Sequence, residues 1–267
     1  MHTTNRLSVL VRTIAIFCLS LLVPAAAPAA RTAVSTTFGN ETFKYRVMFK
    51  WGLVNKQAGE AILTVNNQGE NYRMLLTAKS AKWADRFYRV RDTLSGVIQR
   101  EDFRPRVYTK MAHEGGERKH DEVRYTYSGN KVIGNCKRKK WDKHGKLVRD
   151  EERTLEATGA TVDMLSSFLY MRGLPYNEWR PGHTASLNIY SGKEKELLTI
   201  KYIGETTIEI SGKDYNVYHI RFKFTNGGGK KSSDDMDAWI STGPRREPLK
   251  LEGKLPVGKV QCFMVNQ

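Results

Sequence analysis

Cysteine is scarce in this chain: there are three in 267 residues. Cys18 lies in an apolar N-terminal run, which leaves Cys136 and Cys262 for the body of the protein. The sequence has no C-x-x-C motif and no His/Cys cluster at metal-ligand spacing, so it predicts no redox centre, no metal and no cofactor. Cys136 and Cys262 are candidates for a disulfide in an oxidising compartment; the alternative is two separate, small buried side chains.

Recognisable catalytic motifs are also missing. There is no G-x-S-x-G elbow, P-loop, H-E-x-x-H motif or dinucleotide fingerprint. The densest group of acid-base residues lies in one short stretch, HEGGERKHD, and consists of His113, Glu114, Glu117, His120 and Asp121. We interpret this stretch as a solvated hairpin tip, because nothing in the pattern holds the side chains on rigid elements. A hydrolase would need His113, His120 or His183 to meet a carboxylate, so the sequence favours a non-enzymatic protein.

The chain contains no Pro/Ser-rich linker, no low-complexity tract and no repeat at a fixed period. This continuity favours a single domain over residues 30–267. Two β-domains hinged at residues 155–185 are the alternative, which is less favoured because the helix predicted there needs apolar partners.

The N-terminus has the layout of a secretory signal peptide. Arg6 and Arg12 precede an apolar run over residues 13–23, and small residues at 27–29 supply an A-x-A cleavage site. We therefore predict a signal peptide over residues 1–29 and a periplasmic or secreted protein. The run is short for a membrane span, so an uncleaved membrane anchor is the less favoured alternative.

Positive charge is in excess: 44 Lys and Arg stand against 28 Asp and Glu, a formal net charge of +16. Because an exported protein seldom meets nucleic acid, we expect an anionic envelope surface or an acidic glycan as the partner of this charge. The most basic segment, CKRKKWDKHGKL, contains four candidate surface residues, Arg138, Lys139, Lys140 and Trp141. The alternative is a charged hairpin whose lysines keep a sheet edge soluble.

Period-2 alternation dominates the sequence. Phe43, Tyr45, Val47, Phe49 and Trp51 alternate with basic or polar residues, which predicts a strand with one buried aromatic face. Similar alternation recurs along the chain between short turns. The pattern predicts a mainly β protein, a single antiparallel meander curled into a barrel or half-barrel.

One helix interrupts this pattern, at about residues 162–172. Its apolar face is formed by Val162, Leu165, Phe168 and Leu169. Thr161 or Asp163 is expected to cap its start, and Gly173 followed by Pro175 ends it. We expect the helix to pack on or in the open side of the sheet, because the sheet must bury its apolar face.

The predicted interior is rich in large aromatic side chains. A barrel of this size is either filled by its own side chains or encloses a cavity for an apolar ligand. The candidate ligand-binding positions are Tyr45, Phe49, Trp51, Leu165, Phe168 and Leu169.

Three segments resemble characteristic segments of the domain of unknown function 3108 family, which consists of exported bacterial envelope proteins: FKYRVMFKWGLVNKQAGEA (43–61), DMLSSFLYMR (163–172) and WISTGPRREPLKLEGKLPVG (239–258). The chain departs from that pattern at Thr242-Gly243-Pro244, where an acidic residue is expected. The resemblance implies a periplasmic, mostly antiparallel β protein and supplies no activity or catalytic residues. The strand-rich plan with one helix is also similar, by architecture alone, to the lipoprotein-carrier half-barrels that hold acyl chains.

Two functional hypotheses follow. The leading one is a monomeric, non-enzymatic binding or envelope-maintenance protein that holds a lipid or another apolar molecule in the concavity of the sheet. The alternative is a module that binds anionic polysaccharide through its basic outer face.

Overall fold

The structure is a computed structural model that describes residues 21–22, 37–226, 229–230 and 233–265. Apart from residues 21–22, the predicted signal peptide lies outside the described residues. The strands are β1 (Leu21–Leu22), β2 (Glu41–Trp51), β3 (Val54–Gln68), β4 (Asn71–Ser80), β5 (Val90–Gln99), β6 (Pro105–Glu114), β7 (Glu117–Ser128), β8 (Lys131–Trp141), β9 (Leu147–Thr158), β10 (Thr161–Val162), β11 (Thr184–Tyr190), β12 (Lys195–Ile210), β13 (Lys213–Asn226), β14 (Gly229–Lys230), β15 (Met236–Ser241), β16 (Pro248–Lys254) and β17 (Lys259–Met264). The helices are α1 (Lys82–Asp85), α2 (Ser166–Gly173) and a 3-10 turn (Tyr176–Glu178).

Fifteen of these strands form one sheet, which runs β10 to β13, then β15 to β17, then β2 to β9. Neighbours are antiparallel except for β10 and β11, which are parallel. The C-terminal strand β17 pairs with β2, so the two halves of the chain join into one nearly closed barrel. The predicted mainly β barrel is confirmed, and α2 is the one helix of more than four residues among those described, while the short α1 was not predicted.

One seam of the barrel stays open, between β9 and β10. These strands are consecutive in sequence, but the two residues of β10 pair with β11, and the chain then turns away into α2. Side chains bridge the gap instead. The hydroxyl of Tyr125 on β7 donates to the carbonyl of Tyr190 on β11, and Asn188 donates to the carbonyl of Thr158 over 3.1 Å.

In strand β2, buried and exposed side chains alternate as the sequence predicts. Phe43, Tyr45, Val47 and Phe49 are buried, while the charged residues between them face solvent. Trp51 departs from the expectation, since 52% of it is exposed. The reason is its position: it is the last residue of β2, next to the hairpin turn at Gly52, beyond the packed interior.

Helix α2 begins four residues later than predicted. Thr161 and Val162 form the strand β10 beside β11, and the chain then turns at Asp163. The carboxylate of Asp163 accepts the backbone N–H groups of Leu165 and Ser166, each over 2.7 Å, so Asp163 caps the helix start as one of the two residues expected to do so. Every residue of α2 except Phe168 is buried, so the helix lies inside the barrel.

A buried ion pair ties α2 to the start of the sheet. Nη2 of Arg172 lies 2.8 Å from Oε2 of Glu41, the first residue of β2. Arg172 also donates to the backbone carbonyls of Arg245 and Arg246, and its guanidinium lies 3.9 Å from the ring centroid of Phe38. Burial lowers the pKa of Arg172, which the charge of Glu41 partly offsets. We call this end of the barrel the helix end.

The opposite end, the hairpin end, carries α1 and the turns that follow β2, β6, β8 and β16. Among the described residues, no helix combines the length and the apolar character needed to span a membrane.

Candidate functional site

The inner face of the sheet changes character across the barrel. One row of mutually opposite residues runs through Phe43, Leu63, Leu76, Leu94, Lys110, Asp121, Arg138 and Glu151. The next row towards the hairpin end runs through Tyr45, Ala61, Ala78, Asp92, Ala112, Lys119 and Lys140. In these two rows, strands β2 to β4 and Leu94 of β5 therefore present an apolar inner wall, while Asp92 of β5 and strands β6 to β8 present a mainly charged one.

A buried pair of carboxyl groups lies at the centre of the charged wall. Glu114 is 1% exposed and Asp92 is 7% exposed. Oε2 of Glu114 lies 2.8 Å from the ammonium of Lys119 and Oε1 lies 3.8 Å from that of Lys110, while Oδ1 of Asp92 accepts the N–H of His113. Burial, and then the negative charge of Glu114, raise the pKa of Asp92 to about 7. Near neutral pH Asp92 therefore gains or loses a proton easily.

The apolar wall is not fully covered. Phe43 and Leu63 are buried, but several inward-facing apolar side chains beside them are only half-buried, although they pack against the main core: Ala61, Leu76, Leu94, Leu251, Cys262 and Met264. Lys110 and Lys119 opposite are also partly exposed. Solvent thus reaches the inner face in the half of the barrel that α2 does not fill. We call this region the inner concavity.

A separate groove of about 260 Å³ crosses β3, β4 and β5. Nine residues line it. Three of them, Ala61, Ala78 and Asp92, belong to an inward-facing row, and the six in the two flanking rows face outward: Glu60, Ile62, Thr77, Lys79, Arg91 and Thr93. Because the outward-facing rows supply most of the lining, we place the groove on the outer face. Glu60 and Lys79 pair across it, and we assign it no ligand.

The six predicted ligand-binding residues do not line one surface. Tyr45, Leu165 and Leu169 are buried in the main core, and the Tyr45 hydroxyl donates to the carbonyl of Pro248 over 3.0 Å. Phe168 is half-buried against the same core. The other two lie towards the hairpin end, where Phe49 packs in a small cluster with Ala58 and Trp51 is exposed.

The basic segment on β8 is divided by strand alternation. Arg138 and Lys140 face inward, whereas Lys139 and Trp141 face outward. Each cation has a carboxylate partner: Arg138 with Asp121 (3.0 Å) and Glu151 (2.9 Å), Lys139 with Asp150 (3.3 Å), and Lys140 with Glu117 (2.9 Å). Trp141 lies under the guanidinium of Arg118 at 5.3 Å. The acidic residues of β9, already present in the sequence, were the signal that this charge would be compensated.

Alternation also separates the acid-base residues of HEGGERKHD. Glu114, Glu117 and Asp121 point inward, while His113 and His120 point outward. His183 lies elsewhere, 4.2 Å from the ring centroid of Trp179. The described part of the chain holds no group of three or more side chains suited to a metal ion.

Sequence reasoning missed Asp92 and Lys110. Asp92 alternates with Val90 and Leu94 on the same face of β5. The available signal was therefore a charged residue between apolar residues on a face that was expected to point inward. Lys110 stands in the same relation to Tyr108 and Ala112, which are both buried.

The two cysteines are free in this structure. Cys136 on β8 packs near Tyr190 and Gly192, and Cys262 lies on β17, with six strands between them in the sheet. Burial raises the pKa of both thiols to about 12, so both are protonated and weakly reactive at neutral pH.

Comparison with solved structures supports the fold. The chain is similar to a β-barrel-like protein of the domain of unknown function DUF1849 from Brucella abortus, with a TM-score of 0.60 and 8% identity, over 87% of this chain and 98% of that one. A second structure, a candidate exported protein with a YmcC-like fold from Bacteroides fragilis, has a TM-score of 0.33 and 8% identity, over 86% of this chain and 97% of that one. At such identities the likeness concerns the fold alone. No curated protein matches the chain.

A family model, described as protein of unknown function (DUF3108), matches residues 44–265, from the fourth residue of the first barrel strand, β2, to the residue after the last, β17. Except for Phe43, this range includes both walls of the inner concavity and the three segments on which the resemblance rested. The chain therefore belongs to the DUF3108 family.

Proposed function

We propose that this protein is a non-catalytic binding protein of the bacterial cell envelope that holds an amphipathic, lipid-like molecule in the inner concavity. The observation that carries the proposal is the half-exposed inner face, apolar on β3 and β4 and charged on β6 and β7. Apolar side chains that line a concave surface and remain in contact with solvent form a preformed site for apolar groups, so binding requires little rearrangement of the protein.

The charged wall suits the polar end of such a ligand. Lys110 and Lys119 lie on neighbouring strands, and Glu114 holds both ammonium groups near the same place. Their charges are largely compensated by Glu114 and Asp92, so the site offers hydrogen bonds rather than a strong net field. A ligand with a small polar head and one or more acyl-like chains fits a concavity that has one charged wall and one apolar wall.

Export is part of the proposal. It is supported by the predicted signal peptide over residues 1–29, and N-terminal sequencing of protein from a periplasmic fraction tests it. A mature chain that begins near residue 30 is expected. The monomeric state and the absence of nucleic-acid binding stay predictions.

Polysaccharide binding through Arg138, Lys139, Lys140 and Trp141 has weaker support. An anionic glycan would have to compete with the carboxylates that already hold the three cations. Only Lys139 and Trp141 of the four face outward.

Native mass spectrometry of protein purified gently from the envelope, followed by organic extraction, tests the lipid proposal. We expect a discrete added mass of lipid size. Leu94→Gln, which places an amide on the apolar wall, should reduce the bound fraction at least about tenfold. Met111→Gln is the matched control, since Met111 lies on the outer face of β6 beside Lys110.

A bare protein mass after gentle purification would contradict the proposal. So would equal ligand retention in Leu94→Gln and Met111→Gln proteins that are both folded by circular dichroism.

A further inference from the structure

Exposed apolar side chains gather at the hairpin end. Of the ten exposed large hydrophobic residues in the described part of the chain, six lie there: Trp51, Leu53, Val54, Phe87, Leu147 and Val148. Leu53, at the tip of the β2–β3 hairpin, is fully exposed at 106% of its reference area. Scattered exposed hydrophobic residues are ordinary, but a concentration at one end of a molecule marks an interaction surface.

Direct contacts join these segments into one rim. The turn after β16 packs so closely on β2 that a Cβ at Gly258 would meet the carbonyl of Lys50 and the Cβ of Trp51. The indole N–H of Trp83 in α1 donates to the carbonyl of Gln57 on β3 over 2.7 Å, and Lys56 lies 4.8 Å from the Trp83 ring centroid.

The contacts continue around the barrel. Gly115 of the β6–β7 turn lies against the ring of Tyr88, and Gly116 lies against Lys143 of the β8–β9 turn. The rim is therefore a continuous surface from the turn after β16 to the turn after β8, and we call it the hairpin rim.

Positive charge surrounds the apolar residues of the hairpin rim. Eight exposed cations belong to it: Lys50, Lys56, Lys82, Arg86, Arg89, Lys143, Lys146 and Lys254. Among the described residues, none of these eight forms an ion pair within 4.0 Å of a carboxylate. The nearby acids are occupied, since Asp85 binds Arg91 over 2.7 Å and Asp142 accepts backbone N–H groups of its own turn.

Three lysines lie side by side where β2 and β16 end and β17 begins. Lys254, Lys259 and Lys50 are directly opposite one another across three neighbouring strands. Only Lys259 has a carboxylate partner, Glu252 at 2.8 Å. Like charges opposite each other destabilise a sheet, so this arrangement indicates an external anionic partner that offsets the repulsion.

We propose that the hairpin rim docks on the surface of an anionic lipid bilayer. Leu53 and the rings of Trp51 and Phe87 enter the headgroup region, where amphipathic aromatic side chains are favourable, while the surrounding cations contact lipid phosphates. An acidic polysaccharide would engage the cations but would give no reason for the exposed Leu53. This inference is independent of any ligand in the inner concavity.

Vesicle co-flotation tests the inference, using the purified protein with phosphatidylglycerol/phosphatidylcholine vesicles and with pure phosphatidylcholine vesicles. We expect binding to the anionic vesicles at 0.1 M salt, at least about tenfold weaker binding to neutral vesicles, and loss of most binding at about 0.5 M salt. A basic residue near an anionic surface contributes about fivefold in affinity. The Lys50→Glu/Lys254→Glu variant should therefore bind at least ~25-fold more weakly.

Leu53→Glu tests the apolar part separately. Because the Leu53 side chain is fully exposed, the Leu53→Glu protein should be as stable as the wild type. Its binding to anionic vesicles should fall at least about tenfold. The matched controls are Met111→Glu, an apolar position on the outer barrel wall that is 50% exposed, and Lys201→Glu, an exposed lysine on β12. Neither should change binding.

Absence of binding to anionic vesicles at low salt overturns the inference. It is equally overturned if the rim variants and the wall controls lose binding to the same extent, or if the cation variants lose binding while Leu53→Glu binds like the wild type, which would indicate a purely ionic partner such as a glycan.

Discussion

Replacing Arg172 with methionine should lower the free energy of unfolding by about 5 kcal/mol. The substitution keeps a long unbranched side chain inside the barrel, so the loss comes from charge and hydrogen bonding rather than from a large cavity. Glu41 keeps its carboxylate, which is buried and whose main partner is the Arg172 guanidinium at 2.8 Å. Leaving one member of a buried pair unpaired costs about 3–5 kcal/mol.

Two further groups lose their donor. The backbone carbonyls of Arg245 and Arg246 accept from Arg172 over 2.7 and 2.9 Å. An unsatisfied buried acceptor costs about 1–3 kcal/mol, less where water reaches it. The free energy of unfolding of a domain is about 5–15 kcal/mol, so this one side chain accounts for a large fraction of it.

Urea denaturation followed by circular dichroism measures the effect, and thermal unfolding should show a fall of about 10–20 °C in Tm. Arg221→Met is the matched control, because Arg221 is exposed and its pair with Asp237 should contribute no more than about 1 kcal/mol. Combining Arg172→Met with Glu41→Gln should recover part of the loss, because the buried charge is then gone.

Two results would refute this reasoning. One is a loss in Arg172→Met no larger than that in Arg221→Met. The other is a double variant that is less stable than Arg172→Met alone.

Three other predictions follow from the interior. First, Asp92→Asn should be more stable than the wild type by about 2–4 kcal/mol at pH 8 and nearly equal to it at pH 4, measured by urea denaturation at each pH. The pKa of Asp92 is about 7 in the folded protein and about 4 in the unfolded chain, so the folded protein retains a proton through this window and wild-type stability falls as pH rises from 4 to 7. Second, Gly134→Val should cost at least about 2 kcal/mol, because a Cβ there would lie 2.6 Å from the ring of Tyr190. Third, the Cys136 thiol should alkylate with iodoacetamide at pH 7.5 only after unfolding, as mass spectrometry of native and urea-treated protein would show.

Each of these has a clear contrary result. A stability difference between Asp92→Asn and the wild type that is independent of pH would remove the titration argument. A fully stable Gly134→Val protein would mean that β8 and β11 are not in contact. Rapid labelling of native Cys136 would show that the barrel interior around it opens.

The strand pattern was readable from the sequence because alternation is local. In β2, the buried face from Phe43 to Phe49 follows from a two-residue period, and the DUF3108 resemblance was visible in three contiguous segments. Local pattern was less reliable where two kinds of structure meet. Val162 fits a helical spacing and Thr161 was a candidate helix cap, but both residues pair with β11 and belong to the sheet.

Alternation also could not say where a face points once the sheet closes. It assigns Glu114, Glu117 and Asp121 to one face and His113 and His120 to the other. Only the register across β5 to β8 brings Glu114 near Asp92 on the inner face. The excess of basic residues on β8 looked like a free surface until pairing with β9 supplied its counter-charges.

The sequence by itself determined most of the strands, the existence of helix α2, the family and the overall excess of positive charge. Strands and helices follow from neighbours a few residues apart, and the family and the charge are properties of the sequence itself. Tertiary structure alone decided which charges are compensated and which remain on the hairpin rim. It also decided which side chains share the inner concavity and how Arg172 meets Glu41, 131 residues away in the chain. Those outcomes depend on strand register and barrel closure, which bring together residues whose proximity no local pattern encodes.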